Sequence, residues 1–131
     1  IYNENYKEKF DKILLDVPCL GIGVIKRKPD IKWQRKQEDV YEISKLQYKI
    51  LETCSKYLKP GGELVYSTCS ILKKENEDVI LKFLENNKDF EIKKLDSNKW
   101  NEYIKEEKYF SIKPDKKHDG FFICKLHKNN I

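Results

Sequence analysis

An open α/β sheet is the fold class this sequence predicts, and three observations carry the prediction. A short apolar run, Lys12-Ile13-Leu14-Leu15-Asp16-Val17, ends at an acid and a proline. A second run, Glu63-Leu64-Val65-Tyr66-Ser67-Thr68, follows a long segment with helical periodicity. A further helix and two more strand-like runs come after it, giving the order β-α-β-α-β-loop-β. Strands that alternate with helices build a parallel sheet, and strands covered on both faces read as continuous apolar runs. The two β-α-β units are expected to be right-handed and parallel. The last strand follows without a helix, so an antiparallel insertion is expected there. The whole reads as an α/β half-domain.

Each element has its own local reason. Residues 1–10 form a lead-in with helical leanings. Residues 12–17 suit a strand buried on both faces. Pro18-Cys19-Leu20-Gly21-Ile22-Gly23 breaks that pattern with turn chemistry. Residues 24–37 are a basic connection containing Lys26, Arg27, Lys28 and Trp33. A helix is predicted over 38–58, where Val40, Ile43, Leu46, Ile50, Leu51, Cys54 and Leu58 share one apolar face. Pro60 cannot continue it, and Gly61-Gly62 accept the positive φ of a helix stop. Residues 63–68 are the second strand. The second helix runs from 74 to about 87, with Val79, Ile80, Phe83 and Leu84 inward. Glu75, Glu77 and Asp78 suit the positive end of its dipole. Residues 90–95 alternate like a half-exposed strand. Residues 96–117 are polar and read as a loop anchored by Trp100, Tyr103, Tyr109 and Phe110. Asp119-Gly120 then leads into a last strand over 121–126.

Composition narrows the class. A chain of 131 residues is one domain at most, and 37% charged against 39% hydrophobic residues describes a soluble globular protein. No apolar run approaches the ~20 residues of a membrane span. The first residues lack the apolar centre of a signal peptide. Methionine is absent throughout, so an excised piece of a longer protein is expected. A net charge of +5 is compatible with nucleic acid without being diagnostic. None of the four cysteines forms a C-x-x-C pair, and His118 and His127 lack zinc-finger spacing, so no metal site is expected. Nothing suggests a secreted disulfide framework, and the reducing cytoplasm is the better compartment.

Cys19 and Cys69 stand out, each just past the end of a predicted strand. In an open α/β sheet ligands bind at the carboxyl ends of the strands. If the two strands are neighbours, both sulfurs face one pocket. That arrangement suggests covalent chemistry by one cysteine, with the second assisting. Cys54 and Cys124 lie on apolar faces and read as small buried hydrophobes. His118 and His127 read as surface residues, and Trp33 and Trp100 as packing anchors.

Four ordered motifs carry a resemblance. Asp16-Val17-Pro18-Cys19-Leu20-Gly21-Ile22-Gly23 resembles the D-x-P-C-S-G-x-G motif of the NOL1/NOP2/Sun family of RNA cytosine-5 methyltransferases. Leu58 to Ser70 resembles that family's L-K-P-G-G-x-L-V-Y-S-T-C-S segment. Arg27-Lys28-Pro29-Asp30-Ile31-Lys32-Trp33 is similar to a stretch of its bacterial rRNA branch. Asp119-Gly120-Phe121-Phe122 is similar to its closing strand. Leu20 departs from the pattern, standing where the family usually has Ser.

The resemblance implies the C-terminal half of a Rossmann-like class I methyltransferase fold, about four strands in the order 4-5-7-6 with the last antiparallel. It also implies S-adenosylmethionine as cofactor and methylation of carbon 5 of a cytosine in 16S rRNA. Cys69 would be the nucleophile, and Cys19 would assist breakdown of the adduct and release. Asp16 would hydrogen-bond the cytosine ring. Pro18 would shape the turn and line the base pocket, so Asp16 and Pro18 also touch the rim of the cofactor site. Arg27 and Lys28 would meet RNA phosphates. The Gly-rich loop and the strand-end acid that hold the cofactor are not found here, nor is the family's RNA-binding region. A partial domain, residues 1–131, is therefore expected. The 12–17 strand would show an open edge prone to self-association, and cofactor affinity would be negligible for this chain alone. A non-catalytic RNA-binding or assembly module, a thiol redox protein and an amino-methyltransferase are the alternatives.

Overall fold

A computed structural model describes residues 2–19, 37–95, 100–114 and 119–130. A 3-10 turn at Glu4–Tyr6 leads into β1 (Phe10–Asp16). Helix α1 (Gln37–Ser55) is followed directly by β2 (Leu58–Thr68). A second 3-10 turn, Lys73–Glu75, opens onto α2 (Glu77–Asn86) and the short β3 (Phe90–Ile92). A hairpin of β4 (Ile104–Lys105) and β5 (Tyr109–Ile112) precedes β6 (Phe121–Lys128).

Among the described residues the sheet runs β1-β2-β6-β5-β4, with β3 paired to β6 as well. β1 and β2 are parallel, Leu14 opposite Val65 and Asp16 opposite Ser67. β6 inserts antiparallel beside β2. Its other edge is shared end to end: Phe90–Ile92 pairs with its last residues, and Tyr109–Ile112 with its first. The expected strand order, with the last strand antiparallel between its neighbours, is the observed one. The β4–β5 hairpin is added where the sequence suggested only a loop.

The core lies on one face of this sheet. Leu64, Tyr66, Phe122, Cys124 and Leu126 point into it from β2 and β6, against Leu51 of α1 and Val79, Ile80 and Phe83 of α2. The opposite face carries no described helix. β1 therefore departs from its expected burial on both faces: Leu14 is 72% exposed, and of this strand region only Val17 is buried. The face of α1 is also turned from the expected one. Leu46 is 45% exposed, and the buried row is Gln47, Leu51 and Ser55, spaced i, i+4, i+8.

The helix stops earlier than the sequence predicts. α1 ends at Ser55, and Pro60-Gly61-Gly62 lies inside β2. There β2 bulges against β1, for Phe10 pairs with Leu58 but Lys12 pairs with Glu63. Gly61 takes a φ of 83° at the bulge.

Candidate active site

Parallel pairing of β1 with β2 sends both chains out at the same end of the sheet. Cys19 follows the end of β1 after Val17-Pro18, and Cys69 directly follows Thr68, the last residue of β2. The two Cα atoms are 6.5 Å apart and the sulfurs are in direct contact. That Cα separation falls inside the range a disulfide spans. The sequence reading expects both sulfurs at one place if the strands are neighbours, and the parallel β1–β2 pairing brings them into contact. The thiolate is the nucleophile, so the pair must be reduced before either sulfur can react.

Asp16 sits beside them. Its carboxylate is exposed and accepts a hydrogen bond from Ser67 Oγ at 3.3 Å. Val17 N–H donates to Ser67 O at 3.1 Å, the last backbone bond between the two strands. Pro18 is exposed, and Cys19 and Cys69 are each half-buried. Cys69, Cys19, Asp16 and Pro18 are thus brought together. Arg27 and Lys28 lie outside the described residues, as do Leu20, Gly21, Gly23, Trp33 and His118. His127 pairs opposite Glu63, toward the other end of β2. Trp100 packs against Tyr103 and Phe110, as an anchor would.

A buried polar network holds the Cys69 turn from below, and sequence reasoning missed it. Thr68 Oγ1 donates to Asn76 Oδ1 at 2.6 Å and accepts from Ser70 N–H at 3.1 Å. Asn76 Nδ2 donates to Ser70 O at 2.9 Å. Ser70 Oγ donates to Glu75 Oε2 at 2.5 Å and accepts from Leu72 N–H at 3.0 Å. Gln47, from α1, donates through Nε2 to Glu75 Oε1 at 3.1 Å and to Pro18 O at 2.8 Å. The available signal was a glutamine on an apolar helix face and an acid-amide pair shortly after Cys69.

The other two cysteines have different surroundings. Cys124 is fully buried, and burial pushes its thiol up to about 12. Cys54 is half-buried, and desolvation raises its thiol as well. Both behave as the small hydrophobes expected of them. Among the described residues no helix is long and apolar enough to cross a membrane.

The sheet order is that of part of a Rossmann-like fold, the fold of solved methyltransferases. Solved structures agree. A methyltransferase homolog protein from Pyrococcus horikoshii superposes with a TM-score of 0.71 and 39% identity, over 91% of this chain and 39% of its own. NSun6 from Pyrococcus horikoshii gives 0.72 and 32%, over 90% of this chain and 30% of its own. The chain belongs to the 16S rRNA methyltransferase RsmB/F family, whose model matches residues 2–127. It is similar to ribosomal RNA small subunit methyltransferase B of Shewanella oneidensis, at 46% identity over 122 residues. That match takes in 92% of this chain and 28% of the relative's length.

Proposed function

We propose that this chain carries the base-modifying part of an S-adenosylmethionine-dependent RNA cytosine-5 methyltransferase acting on 16S rRNA in the cytoplasm. One observation supports it most: two thiols from neighbouring parallel strands converge beside an exposed carboxylate, at the sheet end where ligands bind. Family membership supplies the methyl-transfer class, and the named relative supplies the rRNA.

Carbon 5 of cytosine is a weak nucleophile. Addition of the reduced Cys69 thiolate to carbon 6 breaks the ring's aromaticity and makes carbon 5 enamine-like, dividing one hard step into easier ones. Asp16 accepts a hydrogen bond from the ring protonated at nitrogen 3, which favours that addition. Once carbon 5 is methylated, its proton passes to a base such as solvent water, and the electron pair left behind re-forms the double bond between carbons 5 and 6 and expels Cys69 as a thiolate. Cys19, in contact with Cys69, assists this release. The base must leave any stack to reach the thiols. Arg27 and Lys28 would hold phosphates, which position without specifying.

The residues present fit only the rim of a cofactor site. Asp16 and Pro18 are exposed at the tip of β1, which has no described neighbour on the side away from β2. When bound, S-adenosylmethionine supplies an electrophilic methyl group. The 131 residues by themselves are expected to show no micromolar binding in calorimetry, since the loop that grips such a cofactor is not among them.

Two variants of the full-length protein test the thiol roles. Cys69→Ala should abolish covalent trapping by RNA carrying 5-fluorocytosine at the target. Cys19→Ala should let an adduct with ordinary cytosine RNA accumulate. Trapping that survives loss of Cys69 would end the assignment.

A further inference from the structure

We propose that Gln47 and Glu75 are positioning residues that lock the Cys19 strand end to the Cys69 turn; their effect on catalysis rests on the thiol roles proposed above. The connection can be followed bond by bond. Pro18, immediately before Cys19, has its carbonyl held by Gln47 Nε2 at 2.8 Å. The same nitrogen donates to Glu75 Oε1 at 3.1 Å. The other carboxylate oxygen of Glu75 accepts from Ser70 Oγ, immediately after Cys69. Three hydrogen bonds through two fully buried side chains therefore join the residue before one thiol to the residue after the other.

Both intermediaries are fixed. Glu75 O accepts from Tyr66 OH at 2.7 Å, and Glu75 N–H donates to Leu72 O at 3.0 Å. Tyr66 is itself fully buried near the C-terminal end of β2. Gln47 belongs to the row of α1 that faces the sheet, beside Leu51 and Ser55. Its amide has one workable orientation. Turned over, Oε1 would face the Pro18 carbonyl oxygen and Glu75 Oε1, both of which accept in this network. In the orientation observed, Oε1 is buried with no partner among the described residues.

That orphaned oxygen bears on the role. Burying an amide and a carboxylate is costly unless every polar group is paired. A leucine at 47 would continue the apolar row at lower cost if helix packing were the only task. The glutamine instead carries an acceptor with no partner among the described residues and gains a grip on Pro18. Beyond the Val17 to Ser67 bond, β1 has left the sheet, and this grip sets where Cys19 lies.

The test uses full-length protein, fully reduced, as wild type, Gln47→Leu, Glu75→Gln and Cys19→Ala. Folding of each is checked by near-UV circular dichroism. The first readout is the rate of Cys19–Cys69 bond formation with the thiol oxidant diamide, which takes up the two hydrogens as a hydrazine. Gln47→Leu should slow it about tenfold, the scale set by losing a buried hydrogen-bond tie. Glu75→Gln keeps the volume and one acceptor, so a smaller slowing is expected. The second readout is the adduct with ordinary cytosine RNA, which should accumulate in Gln47→Leu as in Cys19→Ala, with 5-fluorocytosine trapping retained. An unchanged bond-forming rate in folded Gln47→Leu and Glu75→Gln overturns the proposal. Slowed bond formation without adduct accumulation in Gln47→Leu or Cys19→Ala upholds the positioning role and instead removes Cys19 from release. If Gln47→Leu does not fold, Glu75→Gln decides by the same rate.

Discussion

At the residue scale the four cysteines separate by environment. Cys19 and Cys69 are half-buried at strand ends, whereas Cys124 is sealed between β2, β5 and β6. With its thiol pushed up to about 12, Cys124 at pH 8 holds roughly one thiolate in ten thousand. After reduction, iodoacetamide at pH 8 should label Cys19 and Cys69 first and Cys54 slowly. Cys124 should stay unlabelled until denaturant is added, which peptide mass mapping would show. Prompt labelling of Cys124 in folded protein would contradict its burial. Cys19 and Cys69 lie close enough for an oxidant to join them: full-length protein treated with diamide should form no RNA adduct, and dithiothreitol should restore it. How far the site was legible follows from where its information lies. Cys69, Cys19 and Asp16 could be read because their neighbours in sequence differ in kind from those of Cys54 and Cys124. Gln47 and Glu75 could not, because their partners come from other elements. Periodicity placed Leu46 on the buried face, and one position of helix rotation exchanged it for Gln47.

At the element scale, local rules failed where a partner strand decided the outcome. Pro60-Gly61-Gly62 carries the chemistry of a helix stop, yet it makes a bulge whose existence depends on how β1 lies alongside. A Cβ on Gly62 would come within 2.8 Å of the Asp11 carbonyl and of the Leu58 side chain. Gly62→Ala must therefore push β2 away from β1, at about 1–3 kcal/mol. Gly61→Ala meets the left-handed backbone penalty of roughly 1–2 kcal/mol. Urea unfolding should show both losses; a Gly62→Ala variant as stable as wild type would mean the bulge does not exist as described. The β4–β5 hairpin escaped the sequence reading for the complementary reason. Its turn puts Glu106 at φ 55° and Glu107 at φ 60°, where asparagine and glycine are the usual residues. With no turn signal, Tyr109 and Phe110 read as isolated anchors instead of a strand. The main β-α-β order was legible because its apolar runs and helix periods are long and local.

At the scale of the whole molecule, the described helices cover only one face of the sheet. Leu14 and Phe121 lie on the uncovered face, 72% and 36% exposed, with Val65 and Ile123 half-buried between them. β1 adds an unpaired edge among the described strands. An exposed edge beside an apolar face is a template for pairing with another chain. Net charge opposes this weakly: +5 spread over the chain is screened beyond about 8 Å at physiological salt. The 131-residue chain produced alone should therefore self-associate with rising concentration, more strongly as salt is added. Leu14→Lys places a charge in the middle of both the edge strand and the apolar face, so it should shift the chain toward monomer. Its effect on unfolding should be small, since Leu14 is mostly in solvent. Multi-angle light scattering across a concentration series would measure both. A wild-type chain that stays strictly monomeric at all concentrations would show that neither the edge nor the face attracts a second copy. Association unaffected by Leu14→Lys would place the contact elsewhere on the molecule.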